Sequence, residues 1–371
     1  MESLRRLLAA IAIAALTTAA ASAHDDRSGH SGALYTMSNA ADGNSVIEFE
    51  RTADGRLAPA GTYPTGGTGT GAGLGNQGGL ILDDDAQFLF VVNAGSDEIT
   101  VFAVRRLGLR FVQTVPSRGD RPISLTLDDD ILYVLNAGSD SIAGFRVSHR
   151  GSLTPLSRSI RPLSGMGTDP AQIQFSPDGR TLVVTEKATN SLLTYRVGDD
   201  GRPATEPRIF PSAGATPFGF AFDKRRELFV SEAAGGAAGA SSLSSYLIGR
   251  EGRLRLVSPS VATEQTAACW VVVTPNHRFA YVSNTGSGNI SGFHTGSGGA
   301  LERFDDGGVT GVTGAGSAPI DMAISPSGSF LYSLNSGNQT ISAFRIRHDG
   351  ALRPLQVVGG LPAGGNGLAL R

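Results

Sequence analysis

One pattern of about 50 residues recurs seven times along this 371-residue chain. In each copy a strand of alternating apolar residues ends in a small polar turn, and a second strand that ends in an aromatic residue follows, as in LYVLNAGSDSIAGF (132–145) and LYSLNSGNQTISAF (331–344). The residues that close the first strand of each copy are Asn39, Asn93, Asn136, Glu186, Glu232, Asn284 and Asn335. Their spacings are 54, 43, 50, 46, 52 and 51 residues. A repeat of this length is typical of a propeller blade.

Two further strands complete each copy. One precedes the pattern through a tight turn such as Ser176-Pro177-Asp178-Gly179, and the other follows a glycine turn, as in FRIRHDGALRPL. The strand order is therefore A, B, C, D in every copy, with hairpin connections. The sequence predicts an all-β fold, a seven-bladed β-propeller with four antiparallel strands per blade.

The two ends of the repeat region complement each other. The first copy, at Leu34, has no A strand before it, whereas residues 366–370 resemble an A strand with no B strand after it. We expect the N- and C-terminal strands to share one blade, which closes the ring and removes an exposed sheet edge. The propeller domain is predicted to span residues 34–371, after a disordered mature N-terminus at 24–33.

The first 23 residues have the pattern of a secretory signal peptide. Arg5 and Arg6 precede an apolar run that is too short to span a bilayer, and Ala21-Ser22-Ala23 fits the cleavage rule. The sequence therefore predicts a periplasmic or secreted protein, by the general secretory route rather than the twin-arginine route. No later stretch resembles a transmembrane helix. The net charge of −2 gives no basic field for nucleic acid or for a membrane surface. Cys269 is the only cysteine, which excludes an internal disulfide.

A binding site is expected around the central channel, on the face that carries the D-to-A connections and the B-to-C turns. We call this the upper face, and the face with the A-to-B and C-to-D turns the lower face. B-strand ends and A-strand starts bring polar groups together there. The candidate substrate-binding residues are Gln172, Lys187, Trp270, Asn284, Asp321, Arg121 and Asn136. Asn at the B-strand end occurs in five of the seven copies, which favours a shared turn-forming role for it.

Three exceptions to the repeat are more informative. Glu186 and Glu232 replace Asn in consecutive copies, so we expect two carboxylates close together on the upper rim. Such a pair could act as catalytic acid and base or hold a cation. Alternatively, Glu186 pairs with Lys187 and Glu232 is solvated. Trp270 interrupts a column of mostly small residues at the A-strand starts, so it should protrude into the channel or plug it.

Several kinds of chemistry are disfavoured. None of the histidines of the repeats falls on the upper face, so a Ser-His-Asp site or a zinc site is not expected there. The glycine-rich segment 65–79 contains a formal G-x-G-x-x-G, but no helix follows, so it does not predict a dinucleotide site. We interpret it as a mobile connection over the upper face. No cofactor and no metal are expected.

Repeat units such as AQIQFSPDGRTLVVTEKATNSLLTYRVGDDGRP resemble the propeller lactonase family, which includes 6-phosphogluconolactonases and 3-carboxymuconate lactonising enzymes. The resemblance covers about residues 34–371. It implies hydrolysis or isomerisation of a small acidic lactone at the channel mouth, without an organic cofactor. Many members carry histidine at A-strand starts, but sites such as Asp169-Pro170-Ala171-Gln172 have none.

Two functions therefore stay open. One is a lactonase or lactonising enzyme, with Glu186 and Glu232 as its acid–base groups. The other is a non-catalytic propeller of the cell envelope that binds a small molecule or a protein. We expect a monomer in either case.

Overall fold

The computed structural model describes residues 30–371, and the predicted signal peptide lies outside this range. The strands, in chain order, are β1 (His30–Met37), β2 (Ser45–Thr52), β3 (Leu57–Pro64), β4 (Leu80–Leu82), β5 (Phe88–Asn93), β6 (Glu98–Arg105), β7 (Gly108–Pro116), β8 (Pro122–Asp128), β9 (Ile131–Asn136), β10 (Ser141–Val147), β11 (Leu153–Pro155), β12 (Arg161–Pro162), β13 (Pro170–Phe175), β14 (Thr181–Glu186), β15 (Ser191–Arg196), β16 (Arg208–Pro211), β17 (Pro217–Phe222), β18 (Glu227–Glu232), β19 (Ser242–Ile248), β20 (Leu254–Ala262), β21 (Ala268–Val273), β22 (Phe279–Asn284), β23 (Asn289–Thr295), β24 (Leu301–Arg303), β25 (Gly311–Val312), β26 (Pro319–Ile324), β27 (Phe330–Asn335), β28 (Thr340–Ile346), β29 (Leu352–Val358) and β30 (Asn366–Leu370).

Helical structure within residues 30–371 is limited to three 3₁₀ turns, Ala234–Gly236, Ser297–Gly299 and Asp306–Gly308. No helix in this part of the chain has the length and apolar character needed to cross a membrane.

The strands form seven antiparallel sheets, which confirms the predicted seven-bladed propeller. The innermost strands of blades 1 to 7 are β30, β4, β8, β13, β17, β21 and β26, and each contacts the innermost strand of the next blade. Blades 3 and 6 have a divided outer strand, because β11 and β12 both pair with β10, and β24 and β25 both pair with β23. The ring therefore surrounds a central channel lined by A strands.

Blade 1 is built from both ends of the chain, as the sequence predicted. Strand β30 pairs antiparallel with β1 and places Leu370 opposite Leu34. Beyond this pair, Arg371 N donates to Ala33 O at 2.9 Å, and Ala33 N donates to Arg371 O at 3.2 Å. Strand β1 begins at His30, before the expected domain start at Leu34. The pairing closes the ring without a free inner edge.

The core lies between the blades, and it follows the period-two pattern of the A strands. The predicted column of apolar residues is buried: Leu80, Leu125, Ile173, Phe220, Val271, Met322 and Leu368 are all at most 9 % exposed. Outer strands such as β20 are half-exposed. Buried tyrosines join blades, because the hydroxyl groups of Tyr133, Tyr281 and Tyr332 each donate to a glycine carbonyl in a C-to-D turn of the following blade, at 2.7–2.8 Å. These bonds satisfy hydroxyl groups that burial would otherwise leave unpaired.

Candidate functional site

The central channel contains a cavity of about 530 Å³. It extends from Gln77 at its upper end, past the inner strands of all seven blades, to the A-to-B turns of the lower face. The ionisable residues in its wall are Asp83, Asp84 and Asp321. Within residues 30–371, no lysine, arginine or histidine lines this cavity. Its electrostatic character is therefore polar to acidic.

The upper end of the channel is covered by the connection between blades 1 and 2, residues 65–79, which we call the plug loop. Trp270 Nε1 donates to Asn76 O, and Lys187 Nζ donates to Gly75 O at 3.0 Å. The Gln77 side chain makes two hydrogen bonds to the backbone of Val271, at 2.9 and 3.3 Å. The plug loop is thus fastened to blades 4 and 6, and the cavity opens on the lower face.

Trp270 lies in β21 beneath the plug loop and is not among the described residues that line the channel cavity. Its indole is 3 % exposed, packs on Phe218 at 5.1 Å between ring centroids, and supports the plug loop from below. The sequence placed residues 65–79 over this face, but it gave no sign of these bonds, because glycine-rich connections carry no periodic pattern that fixes their contacts. Asn76 and Gln77 lie at the candidate site, although the repeat pattern did not point to them. Their only signal is that they are the large polar residues in a stretch of glycines.

Glu186 and Glu232 are buried at the ends of β14 and β18 and fully bonded. Glu186 accepts hydrogen bonds from Ser164 N at 3.0 Å, from the Ser164 hydroxyl and from Thr189 Oγ1 at 2.6 Å. Glu232 accepts from Gly214 N at 2.9 Å and from the hydroxyl groups of Ser242 and Ser244. Each carboxylate thereby ties its own blade to the connection arriving from the previous blade. No hydrogen bond joins the two carboxylates in the described part of the chain, and neither lines the channel cavity. Their catalytic role stays a prediction.

Asparagines at other B-strand ends also make structural hydrogen bonds. The side-chain amides of Asn93, Asn284 and Asn335 each donate to a hydroxyl seven residues later on the C strand, at 2.8–2.9 Å. The sequence favoured bonds to the local backbone instead. The hairpin register explains the difference, because it places the residue seven positions later beside the B-strand end. Asn136 makes one weak contact, to Ser117 O at 3.5 Å. Asn136 and Asn284 are fully buried and do not line the channel.

The two predicted cations differ in environment. Lys187 is largely buried, with its Nζ 3.2 Å from the Asp169 carboxylate and 4.8 Å from the centre of the Phe218 ring. Burial lowers the pKa of Lys187, and the Asp169 carboxylate opposes that shift. Its hydrogen bond to Gly75 O holds the plug loop against blade 4. Arg121 is exposed on the upper face. Of these two cations, Arg121 faces solvent and Lys187 does not.

Gln172 and Asp321 both line the channel, and both bridge neighbouring blades. Gln172 Oε1 accepts from Phe220 N at 2.7 Å, and its Nε2 donates to Phe220 O at 2.9 Å. Asp321 stands at the equivalent position of blade 7, where Oδ1 accepts from Met322 N at 2.7 Å and Oδ2 accepts from Leu368 N at 3.0 Å. An amide performs this bridging in blade 4 without any charge.

Asp321 is therefore the unusual member of this pair. It is 3 % exposed, and burial raises its pKa to about 8 despite the two backbone N–H groups, which lower it. Burial at this position destabilises the ionised carboxylate. The bridging contacts alone do not require that cost, because the Gln172 amide makes them in blade 4 without a charge. A cavity-lining acid with a strongly shifted pKa is a candidate catalytic group.

The chain matches the family model "Lactonase, 7-bladed beta-propeller" over residues 28–166, 159–238 and 251–365. This protein belongs to the seven-bladed lactonase family. No curated protein matches it.

Solved structures share the fold of this lactonase-family chain. The Pseudomonas aeruginosa periplasmic gluconolactonase is 21 % identical, with a TM-score of 0.70 over 90 % of this chain and 98 % of the other. A Lactobacillus plantarum protein is 17 % identical, with a TM-score of 0.75 over 92 % and 99 %. A 6-phosphogluconolactonase candidate from Bacteroides fragilis is 18 % identical, with a TM-score of 0.72 over 92 % and 98 %. At these identities the similarity establishes the fold alone.

The contacts of Glu186 and Glu232 lead to a direct test of their role. We expect Glu186→Gln and Glu232→Gln each to lower the free energy of unfolding by about 1–2 kcal/mol, because each replaces an acceptor oxygen with a donor. The two carboxylates share no partner, so the double variant should be additive within about 0.5 kcal/mol. Urea unfolding measures both effects. Loss of turnover in a variant that keeps wild-type stability would instead support the catalytic role that the sequence predicted.

Proposed function

We propose that this protein hydrolyses a small lactone inside the central channel, with Asp321 as the general base. The observation that carries the proposal is the buried Asp321 carboxyl, which lines a cavity large enough for a monocyclic sugar lactone and has a pKa of about 8. A base with a pKa close to the working pH is the most effective proton acceptor. Membership of the lactonase family supports the choice of reaction.

The reaction needs only water and one proton-transfer group. Ionised Asp321 removes a proton from a water molecule as its oxygen bonds to the lactone carbonyl carbon. The tetrahedral intermediate then collapses with cleavage of the bond between this carbon and the ring oxygen. The ring oxygen takes the proton back from Asp321, and the product is an open-chain hydroxy acid. Asp321 ends in the ionised form in which it began.

Other nucleophiles are poorly placed for this chemistry. Burial raises the pKa of the Cys269 thiol to about 12, so the thiol stays protonated at neutral pH. No histidine among residues 30–371 lines the channel. These features favour direct attack by water over a covalent intermediate on the enzyme.

The resemblance to lactonases implied a small acidic substrate at the channel mouth, but the charge of the cavity favours an uncharged lactone. Asp83 and Asp84 stand at the lower opening. Nearby, burial and then the Asp129 and Asp84 carboxylates raise the pKa of Asp128, a sign of negative potential on this side. Lys224 and Arg225 lie on the blade 5 turn of the same face, outside the cavity wall. An exported location follows from residues 1–23 and is proposed with this function.

A second candidate function is non-catalytic ligand binding in the cell envelope. It is favoured by the structural bonding of Glu186 and Glu232. Among residues 30–371 this leaves Asp321 as the one ionisable group deep in the channel, with Asp83 and Asp84 at its lower opening. A pH-stat screen of the purified protein against sugar and aromatic-derived lactones separates the two functions. Hydrolysis above the spontaneous rate supports the enzyme, and its absence with every lactone supports binding alone.

The same assay tests the charge preference. We expect kcat/KM for glucono-1,5-lactone to exceed that for its 6-phosphate by at least about tenfold at low salt, because phosphate approaching the Asp83 and Asp84 carboxylates is repelled. Added salt should narrow the difference by screening. The Asp83→Asn/Asp84→Asn variant should narrow it further, while Asp349→Asn, on an exposed turn, is the matched control. Faster hydrolysis of the phosphorylated lactone would contradict the preference but leave the lactonase proposal standing.

A further inference from the structure

The first residue of each B strand in blades 2 to 7 lies against a glycine in the C-to-D turn of the following blade. These six residues are Phe88, Ile131, Thr181, Glu227, Phe279 and Phe330. Five of them are uncharged, as expected for side chains packed between two blades. The exception is Glu227 in blade 5, which is 2 % exposed and approaches Gly299 of blade 6 so closely that a Cβ there would lie 3.5 Å from its Cγ.

The A-to-B turn of blade 5 places a second buried carboxyl beside Glu227. Asp223 is 3 % exposed, and its Oδ1 accepts hydrogen bonds from Arg225 N at 2.8 Å and from Glu227 N at 3.0 Å. In blades 4, 6 and 7 a hydroxyl accepts the corresponding turn bond, from Ser176, Thr274 and Ser325. The turn therefore does not require a carboxylate, and Asp223 Oδ2 accepts no hydrogen bond from an N–H group or a hydroxyl.

The two carboxyl groups are hydrogen-bonded to each other. One of them therefore carries a proton, because a pair of carboxylates has no hydrogen to share. Burial, followed by the contact with Asp223, raises the pKa of Glu227 to about 7, whereas the Gly298 N–H and the Arg225 charge lower it. If both groups ionised in this enclosed position, they would repel each other.

A histidine from blade 6 faces the same pair. His277 occupies the turn position at which blades 4 and 7 have glycine, and its φ of 57° is left-handed. Its Nδ1 has no hydrogen-bond partner and lies 3.7 Å from Asp223 Oδ2. A protonated imidazole at this point attracts the Asp223 carboxylate, whereas a neutral one does not. Raising the pH therefore removes positive charge from this contact as well as the shared carboxyl proton.

The other charges around the pair do not compensate Glu227. The C-to-D turn of blade 6, residues 296–300, contains no ionisable side chain, and β19 places an uncharged leucine opposite Glu227. Within residues 30–371, Glu227 forms no ion pair. The remaining cations of the two A-to-B turns lie elsewhere: Lys224 is exposed, Arg226 pairs with Asp178 at 3.3 Å, and Arg278 lies over the Phe279 ring.

We propose that Asp223 and Glu227 form a pH-sensitive contact between blades 5 and 6, in which one shared proton holds the C-to-D turn of blade 6 against blade 5. At higher pH Glu227 releases this proton to solvent, the two carboxylates repel, and the turn loosens. The contact lies at the lower end of the channel, because the neighbouring residues Phe222 and Pro275 line the cavity. The proposal is independent of lactone hydrolysis, since neither carboxyl takes part in the proposed reaction.

Backbone amide hydrogen exchange, corrected for the intrinsic effect of pH, measures the loosening directly. The internal control is the C-to-D turn of blade 5, residues 249–253, because uncharged Thr181 lies against it where Glu227 lies against blade 6. We expect the protection of residues 296–301 relative to residues 249–253 to fall about tenfold between pH 6 and pH 8.5, the effect of one carboxyl whose pKa drops from about 7 to its ordinary 4.5 on opening. The ratio of the two turns separates this local effect from the pH dependence of global stability.

Three variants assign the effect to Glu227. Glu227→Gln offers Asp223 an N–H donor at every pH, so the fall in relative protection should disappear. Glu227→Thr, which introduces the residue type of blade 4, is a second variant with the same expected result. Glu206→Gln, at an exposed carboxyl between β15 and β16, is the matched control and should retain the fall.

Two results would overturn the proposal. One is constant relative protection of residues 296–301 in the wild type from pH 6 to pH 8.5. The other is a full wild-type fall in the Glu227→Gln or the Glu227→Thr protein. If neither variant folds, the wild-type ratio alone decides.

Discussion

Replacing Asp321 with asparagine is expected to lower kcat/KM for lactone hydrolysis by about 100- to 10,000-fold, the usual effect of removing a general base. Asparagine keeps the size of the side chain but accepts no proton. One of its two polar atoms also faces a backbone N–H at Met322 or Leu368 as a donor, so one bridging bond is lost. Asp120→Asn, at an exposed carboxyl on the upper face, is the matched control and should retain wild-type kinetics.

The pH dependence makes this prediction specific. Because ionised Asp321 is the active form, the kcat/KM of the wild type should rise with pH and level off above about pH 8. Asp321→Asn should lack this limb. An unchanged pH profile in the variant, together with retained turnover, would remove Asp321 from the mechanism.

The free energy of unfolding should also depend on pH through Asp321, but it should fall as the pH rises. The pKa of Asp321 is about 8 in the folded protein, above its ordinary value of 3.8. Between these pH values the unfolded chain loses a proton that the folded chain retains, so the free energy of unfolding falls as pH rises, by at most about 1.4 kcal/mol per pH unit. Above about pH 8 the loss is complete. Comparing urea unfolding of Asp321→Asn with the wild type from pH 4 to 9 should show that the variant lacks this decline.

Deleting residues 366–371 is expected to abolish cooperative folding or to cost at least about 5 kcal/mol. The deletion removes β30, leaves the inner edge of β1 unpaired and takes Leu368 out of the core. Loss of a buried leucine alone costs about 2–5 kcal/mol, and the backbone bonds of the strand add to this. Thermal unfolding followed by circular dichroism measures the effect.

A peptide of residues 364–371 added in trans supplies the control for this deletion. It should restore a cooperative transition if strand pairing is what the truncated chain lacks, whereas a scrambled peptide should not. A truncated protein that unfolds at the wild-type temperature would contradict the structural role of the closing strand.

The fold could be predicted from the sequence because its information is repeated. Seven copies of one pattern gave the blades, and the unmatched strands at Leu34 and at residues 366–370 indicated how the ring closes. The buried column from Leu80 to Leu368 followed from the same alignment. Each of these inferences relies on period-two patterning, which is local and needs no knowledge of what lies opposite.

The site was less accessible because its properties come from contacts across the ring. Glu186 and Glu232 were visible as exceptions to the repeat, but the hydroxyl and N–H groups that bond them come from connections whose paths the sequence does not specify. Asp321 was visible as a polar residue in the inner column. Its raised pKa comes from the loss of hydration at its buried position in the channel wall, a property of three-dimensional packing.

The pairing of β30 with β1 also affects how the chain folds as it is synthesised. Thr36 Oγ1 donates to Asn366 O across 330 residues of sequence, and Trp270 holds Asn76 O across 194. Contacts of such long range slow folding, since much of the chain has to be ordered before they form. During synthesis, β1 keeps an unpaired edge until residues 366–370 emerge, and such edges promote aggregation. A newly made chain is therefore protected from aggregation through this edge only once β30 has paired with β1.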